Sequence, residues 1–420
     1  MIIRTSLVGF TLIFLLILIL RKEQNQDLNW AIFYSALWVL VSLLPMNWVC
    51  IKLGFWSFNH SENLTVFMPY DLLFVWLIIW GVLPTFIFKG NRLWLVATIL
   101  FWTDILFMPY MESFGIIDLG KYWLIGEVLL ILIVFFPAFL WSRFSLRKIH
   151  TGFRSLFQFA CIAFIICLGI PFVTLQYFPK NVDFHTWYVP YLIQLGFIII
   201  FPSLIALIDL HEKGKGTPFP YDPTKQLVRT GVYAYIRNPI QWSLTLFFIP
   251  LSAFYMSPVL LAGVVISIAY TIGLSNPQEF SSMESRFGLE WTNYKSTVPS
   301  WYFLWVPKSH PIGTIYFRKN CSSCSSVRSW FERRKTFGLI FKHAEDYEGE
   351  ILQQVKYVSY NGIEVSSVNA IANGLEHINL GWASLGWFMR LPGVNFVLQL
   401  IIDSMIFEGE DTFCEIEDVV

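Results

Sequence analysis

Charge is scarce in this 420-residue chain: Asp, Glu, Lys and Arg make up 14% of it, where a soluble globular protein carries roughly 25%. Cysteine is scarce as well. The 6 residues are too few and too scattered for a secreted disulfide scaffold. The 29 basic and 29 acidic residues cancel to a net charge of +0, so no field gathers nucleic acid and no such partner is expected. Internal repeats and low-complexity tracts are missing too. Apolar residues fill the space: 55% of the chain is hydrophobic, with 40 Phe and 18 Trp, and the mean hydropathy is +0.56. Phe suits lipid contact, and Trp and Tyr suit the headgroup level. The composition is that of a polytopic membrane protein, all-α across the bilayer.

A spanning helix needs about 20 mostly apolar residues. Nine stretches are candidates: Ser6 to Leu20, Leu28 to Trp48, Tyr70 to Phe88, Leu93 to Tyr110, Tyr122 to Trp141, Leu156 to Leu175, Trp187 to Asp209, Ile240 to Tyr255 and Pro258 to Leu274. The first is short and, with Arg4 ahead of it, also has the look of a signal peptide. Its C-terminal flank, however, is Arg21-Lys22-Glu23-Gln24 rather than a small-residue cleavage site. The last two are joined by a short turn around Met256-Ser257-Pro258, which predicts a tight helical hairpin.

The loops alternate in charge. Arg21 and Lys22, then Lys89 and Arg92, then Arg143, Arg147, Lys148 and Arg154, then Lys213, Lys215, Lys225, Arg229 and Arg237 fall in odd-numbered loops. The even loops hold only Lys52, Lys121 and Lys180, beside Glu62, Glu112, Asp118 and Asp183. The positive-inside rule places the odd loops and the C-terminal tail in the cytoplasm and the N-terminus outside, an arrangement expected of a multi-pass protein of a bacterial inner membrane. The chain thus divides into three segments: residues 1–150 with five spans, 151–307 with four spans and a long polar loop, and 312–420, where charge returns and a cytoplasmic α/β domain is expected. The last boundary is the stretch from Trp305 to Pro311, with two prolines and no periodicity.

The middle segment carries the strongest motif. The loop from Gly214 is rich in Pro and Gly and ends on Arg237-Asn238-Pro239, where a helix enters the bilayer. Pro is at home at a helix start. The free N–H groups and partial positive charge there favour an anion such as a carboxylate, to which Arg237 would add a bidentate clamp. Tyr233 and Tyr235 offer flat faces for a base or a cation. Beyond the hairpin, Glu279 to Lys295 reads as an amphipathic surface helix closed by Gly288, with Glu279 near Arg237.

These residues resemble the isoprenylcysteine carboxyl methyltransferase and phospholipid methyltransferase superfamily, over roughly residues 155 to 302. Leu227, Val228, Gly231, Tyr233, Arg237 and Pro239 match its first motif. Glu279, Met283, Phe287, Gly288, Trp291 and Tyr294 match its second. The family's His is Asn238 here, a Tyr is Gln241 and a second Glu is Phe280. The resemblance implies S-adenosylmethionine as cofactor, held by Leu227, Gly231, Tyr233, Tyr235, Arg237, Asn238, Pro239, Gln241 and Glu279. It also implies a lipid or isoprenoid-like acceptor entering from the bilayer, with Arg237 and Glu279 at the chemistry. Asn and Gln still offer hydrogen bonds to a carboxylate or ribose. Methyl transfer from a sulfonium needs alignment and a water-poor site more than a special base.

In the last segment, Ile312 to Phe317 reads as a strand, Ser325 to Arg334 as a helix, Phe337 to Lys342 as a second strand and Tyr357 to Asn369 as a hairpin turning at Asn361-Gly362. Cys321-Ser-Ser-Cys324 stands between the first strand and the helix, the arrangement in which a helix N-terminus makes the first thiol nucleophilic. A zinc site would need further ligands; His343 and Cys414 exist without motif spacing, so no metal is expected. The segment resembles the DCC family of thioredoxin-like proteins through Asn361-Gly362-x-Glu364 and the run from Gly386-Trp387 to Arg390-Leu391-Pro392. It departs before the first Cys, and no Pro precedes the strand at Tyr357, where thioredoxins carry one. A thiol or disulfide partner is the implied substrate, with Cys321 attacking and Cys324 resolving. The helical part would then be an anchor or a quinone-like partner site.

In the first segment, Leu53 to Phe58 and Met68-Pro69-Tyr70-Asp71 fall on the outer face, with Trp56 and Trp80 placed for an aromatic belt. The pattern resembles membrane lycopene-cyclase-like domains. Asp71, Asp104, Glu112 and Glu127 are candidate intramembrane acids, and Asp104 and Glu127 fall inside spans, where an ionisable residue is a functional candidate. The expectations are thus a membrane methyltransferase, a membrane-tethered thiol–disulfide protein, or a scaffold without chemistry.

Overall fold

The apolar runs fold as helices because, in lipid, only a helix or a closed barrel satisfies every backbone polar group internally. In the computed structural model the described residues are 9, 11–13, 16, 25–59, 68–179, 185–218, 223–308, 310–319, 321–348, 352 and 354–408. The side chains of 274, 278–280, 322 and 405–408 are not among them. Among the described residues six helices are long and apolar enough to cross a membrane: α1 (Gln26–Lys52), α2 (Tyr70–Phe88), α3 (Leu93–Ser113), α4 (Trp123–Arg147), α5 (Thr151–Tyr177) and α6 (Val189–Glu212). They are the second to seventh runs expected. The first run, Ser6 to Leu20, falls mostly outside the described residues. The hairpin is present but short: α7 (Pro239–Phe254) has 16 residues, roughly 24 Å of helix against a hydrocarbon core of about 30 Å.

The chain divides into two compact units, residues 1–173 and 174–420. In the first, α1 opens on Asn25, whose side chain accepts from the Leu28 N–H, and closes with Lys52 in its last turn. Val39, Leu43, Trp80, Phe135 and Phe139 form its core. Two short strands, β1 (Trp56–Phe58) and β2 (Ile117–Leu119), pair antiparallel, and the Glu112 carboxylate accepts from the Leu119 N–H at 3.1 Å. Three-residue strands carry too little alternation to be read from the sequence. The aromatic-belt expectation is corrected here: Trp56 and Trp80 are both buried, and the Trp56 indole donates to Asn47 Oδ1 at 3.2 Å.

In the second unit, α7 turns at Ser257, whose N–H reaches the Ser252 carbonyl at 3.0 Å, into α8 (Ala262–Tyr270), a π-turn (Thr271–Ser275) and α9 (Asn276–Thr297). Gly288 does not close the surface helix as expected. It bends it, at φ 50° and ψ −123°, and helix resumes to Thr297. Residues from Gly313 onward form a four-stranded sheet in the order β4-β3-β5-β6, from β3 (Gly313–Phe317), β4 (Leu339–His343), β5 (Lys356–Val358) and β6 (Glu364–Ser366). β3 and β4 are parallel, and α10 (Ser322–Glu332) lies between them in sequence. β5 and β6 are antiparallel. The expected hairpin is shorter than predicted, because α11 (Ser367–Leu375) already begins where its second strand was to continue. Two apolar helices that the sequence pattern does not separate, α12 (Leu380–Met389) and α13 (Pro392–Glu408), complete the unit.

Candidate functional site

The two halves of the motif meet. Leu227 from the loop packs in one cluster with Trp291, Tyr294 and Val298, against which Met283 and Phe287 lean. The Tyr294 hydroxyl donates to the Tyr233 carbonyl at 2.8 Å. Arg237 lies at the end of α9: its Nη1 donates to the Lys295 carbonyl at 2.9 Å and the Val298 carbonyl at 3.3 Å, its Nη2 to Ser300 Oγ. Its backbone N–H reaches the Pro299 carbonyl at 2.8 Å. A cation over the last carbonyls of a helix is favoured by their partial negative charge. The guanidinium therefore spans the two motif halves and holds them together.

The turn Gly231–Ala234 owes its place to Asp209 in the last turn of α6. Asp209 Oδ2 accepts from the Val232 N–H at 3.3 Å. Gly231 has φ +65°, and a Cβ there would collide with the Asp209 carboxylate; only glycine fits. Asp209 Oδ1 bonds Arg390 Nη2 at 2.7 Å and Lys213 Nζ at 2.9 Å. Arg390 Nη1 bonds Glu376 at 2.7 Å, and Lys213 approaches Glu376 at 3.7 Å. Two cations and two carboxylates form a buried ring that ties α6 to the C-terminal segment, and a third carboxylate, the exposed Glu212, approaches Arg390 Nη2 at 3.4 Å. The Asp209–Lys213 spacing was legible as an i,i+4 pair; Glu376 and Arg390, far along the chain, gave no such signal.

Tyr235 is fully buried, edge-on to Trp387 at 5.6 Å, and donates to the Glu376 carbonyl at 2.8 Å. Burial and then the Glu376 charge push its phenol above the ordinary range, which keeps it a donor. Tyr233 is buried as well. Neither ring has an open face of the kind the sequence suggested.

Open polar groups lie at the start of α7 instead. Asn238 precedes Pro239, the first residue of α7, and gives that helix no side-chain cap. It is only 6% exposed, yet its Nδ2 finds no hydrogen-bond partner among the described residues. Gln241, one turn on, donates from Nε2 to Ser275 Oγ at 2.7 Å, while its Oε1 and Asn276 Oδ1 are likewise unsatisfied among the described residues. An unmade hydrogen bond at a buried group costs roughly 1–3 kcal/mol, which makes these three open atoms a candidate place for a polar ligand. Ser275 and Asn276 were missed in the sequence. Glu279 comes one turn after Ser275, on α9, and its side chain lies outside the described residues.

Cys321 caps α10, and its Sγ accepts from the Cys324 N–H at 3.2 Å. Both are half-buried thiols outside any disulfide. Arg328 is one turn further along α10, between Glu332 at 2.8 Å and the His343 ring at 3.2 Å. In the first unit, Asp104 and Glu127 are both buried. Glu127 lines a small cavity with Asn47, Trp56, Phe58, Met68 and Trp76, and one oxygen of each carboxyl is unsatisfied among the described residues.

Residues 186–289 match the family model described as phospholipid methyltransferase. That stretch holds α6, the polar loop, the hairpin and the first part of α9. No curated protein matches the chain, and no solved structure does.

Proposed function

We propose that this chain is an integral membrane methyltransferase that uses S-adenosylmethionine on a lipid or isoprenoid-like acceptor at the cytoplasmic face. One observation carries this: within the stretch that matches the phospholipid methyltransferase family, the start of α7 gathers a buried, unsatisfied Asn238 amide beside Gln241 and Asn276. The cofactor, when bound, supplies a methyl group on a sulfonium. Asn238 and Gln241 would hydrogen-bond its polar groups, and the free N–H groups opening α7 would favour its carboxylate. Glu279 would close the site or orient the acceptor. Arg237, already engaged with three acceptors, would position the two motif halves. Leu227, Gly231, Tyr233, Tyr235 and Pro239 would shape the frame. The setting would be the full set of nine spans, modules at 1–150, 151–307 and 312–420, and a cytoplasmic C-terminal domain.

Calorimetry on the detergent-purified chain tests it. S-adenosylmethionine should bind, and Asn238→Ala should weaken binding about tenfold, the worth of one hydrogen bond of about 1.4 kcal/mol. Arg237→Ala should abolish it by releasing α9. If the unaltered chain binds no cofactor, the proposal fails.

A second function is suggested by the Cys321 cap. The strand order with parallel β3 and β4 and antiparallel β5 and β6 supports a thioredoxin-like domain. The Cys324 N–H on Cys321 Sγ would hold that sulfur at the start of α10. Cys321, as the thiolate, would attack a partner disulfide, releasing one partner thiolate. Cys324 would then displace the second, leaving a Cys321–Cys324 disulfide. Thiol trapping of the full chain across a glutathione series should show a two-thiol transition, and its persistence in Cys321→Ser would rule this out.

A further inference from the structure

The C-terminal helices carry a surface that a water-facing domain does not explain. On α13, Phe396, Val397, Leu400 and Ile401 are all exposed, Phe396 by 64%. Their i, i+1, i+4, i+5 spacing puts them on one face. The half-buried face mixes Val394, Leu398 and Ile402 with two polar residues: Asn395 donates to Asn369 Oδ1 of α11 at 3.0 Å, and Gln399 donates to Asp403 within the helix at 2.7 Å. Leu385 and Phe388 are exposed on α12. Taken together, α12 and α13 have the length and hydropathy of a span but are bent by 83°, so they do not cross as one rod. Pro392, the first residue of α13, and Arg390 stand at the bend.

Two observations fix where this elbow lies. Arg390, at the end of α12, bonds Asp209 in the last turn of the span α6 at 2.7 Å. Ala383 and Trp387 of α12 share a core with Ile205 and Ala206, one turn deeper in that span. Those two residues lie about 9 Å from the end of α6 at about 1.5 Å per residue. The elbow thus starts at the depth where a bilayer's headgroups give way to acyl chains. Trp305, whose carbonyl receives the Leu380 N–H at 2.8 Å, is 65% exposed beside it, as an interfacial tryptophan would be.

We propose that α12 and α13 form an apolar elbow seated in the membrane interface, with Phe388, Phe396, Val397, Leu400 and Ile401 among lipid acyl chains. An interfacial helix of this kind buries its apolar face about 5–10 Å into the headgroup–acyl boundary. Its half-buried face then packs on α11, whose Asn369 it bonds. The occupant is lipid because α12 is bonded to the end of α6, a span whose own open residues, Phe197 and Ile198, meet acyl chains.

Site-directed nitroxides on the full chain, in phosphatidylcholine–phosphatidylglycerol vesicles and a background in which all 6 native cysteines are replaced by serine, test this. Labels at Phe396→Cys and Leu400→Cys should collide several-fold more with oxygen than with a water-soluble nickel chelate. Lys342→Cys, an exposed position on the sheet, should show the reverse. Nickel access at 396 and 400 equal to that at 342 would overturn the proposal. So would spin–spin broadening between labels, which would mean a second copy covers the face. The outcome is independent of whether the chain transfers methyl groups.

Discussion

Single residues explain why the polar loop folds where it does. Gly231 is fixed by Asp209: the backbone sits at φ +65° hard against the carboxylate, so the turn Gly231–Ala234 and the α6 terminus are one piece. Arg237 is fixed by the end of α9, whose last carbonyls it satisfies. Asn238 differs from both. It is buried without a partner for its Nδ2 among the described residues, at the start of a helix whose N–H groups are open by construction. A residue kept buried and unsatisfied at a helix N-terminus, directly after one that is rigidly held, calls for an explanation, and the proposed binding position supplies one. The motif pointed to all three positions. It did not separate the two that build the frame from the one left open, because that difference depends on where α9 ends in space.

At the level of elements, the join between the membrane part and the sheet is a histidine stack. His310 lies in the Pro-containing boundary, and its ring lies 3.8 Å from that of His377, after α11. The His377 Nδ1 bonds the Phe337 carbonyl at 2.7 Å, and its Nε2 bonds the Tyr357 hydroxyl at 2.9 Å. That pattern suits the neutral imidazole, one nitrogen donating and the other accepting. Burial pushes His310 down to about 4. Burial and then His310 hold His377 well below the usual range. Both folded values lie below the unfolded value of about 6.5, so the unfolded chain takes up protons first as pH falls. Stability should be level above about pH 7 and decline from about pH 6.5 toward 4. Melting temperatures of the detergent-purified chain across that range measure it. His310→Asn, which keeps a donor for the Pro311 carbonyl and cannot charge, should flatten the decline; an unchanged slope would place its origin elsewhere. Long elements were legible from sequence because six apolar runs leave no choice but helix. So was β3, with its five residues of alternating burial. β1, β2 and the polar ring were not, since three-residue strands have no period and ion pairs between distant segments leave no local trace.

Across the second unit, one contact joins residues 181 positions apart: Arg390 on Asp209. The ring it closes with Glu376 and Lys213 is the point at which a membrane span, the motif loop and the C-terminal segment share electrostatic balance. Removing one member of a buried pair leaves an uncompensated charge and costs roughly 3–5 kcal/mol. Arg390→Ala should therefore destabilise the chain by about that amount, and should also loosen the Gly231 turn, because Asp209 would then be held by Lys213 alone. Asp209→Asn keeps an acceptor for the Val232 N–H and removes the charge, so the double substitution should recover part of the loss. An interaction energy of roughly 0.5–3 kcal/mol is expected from the cycle, read from denaturant midpoints of the purified protein. Purely additive losses would mean that the segments are joined by their apolar core alone. A recovered coupling would mean that the C-terminal segment reaches the Gly231–Ala234 turn through Asp209, so that whatever displaces α12 also displaces that turn.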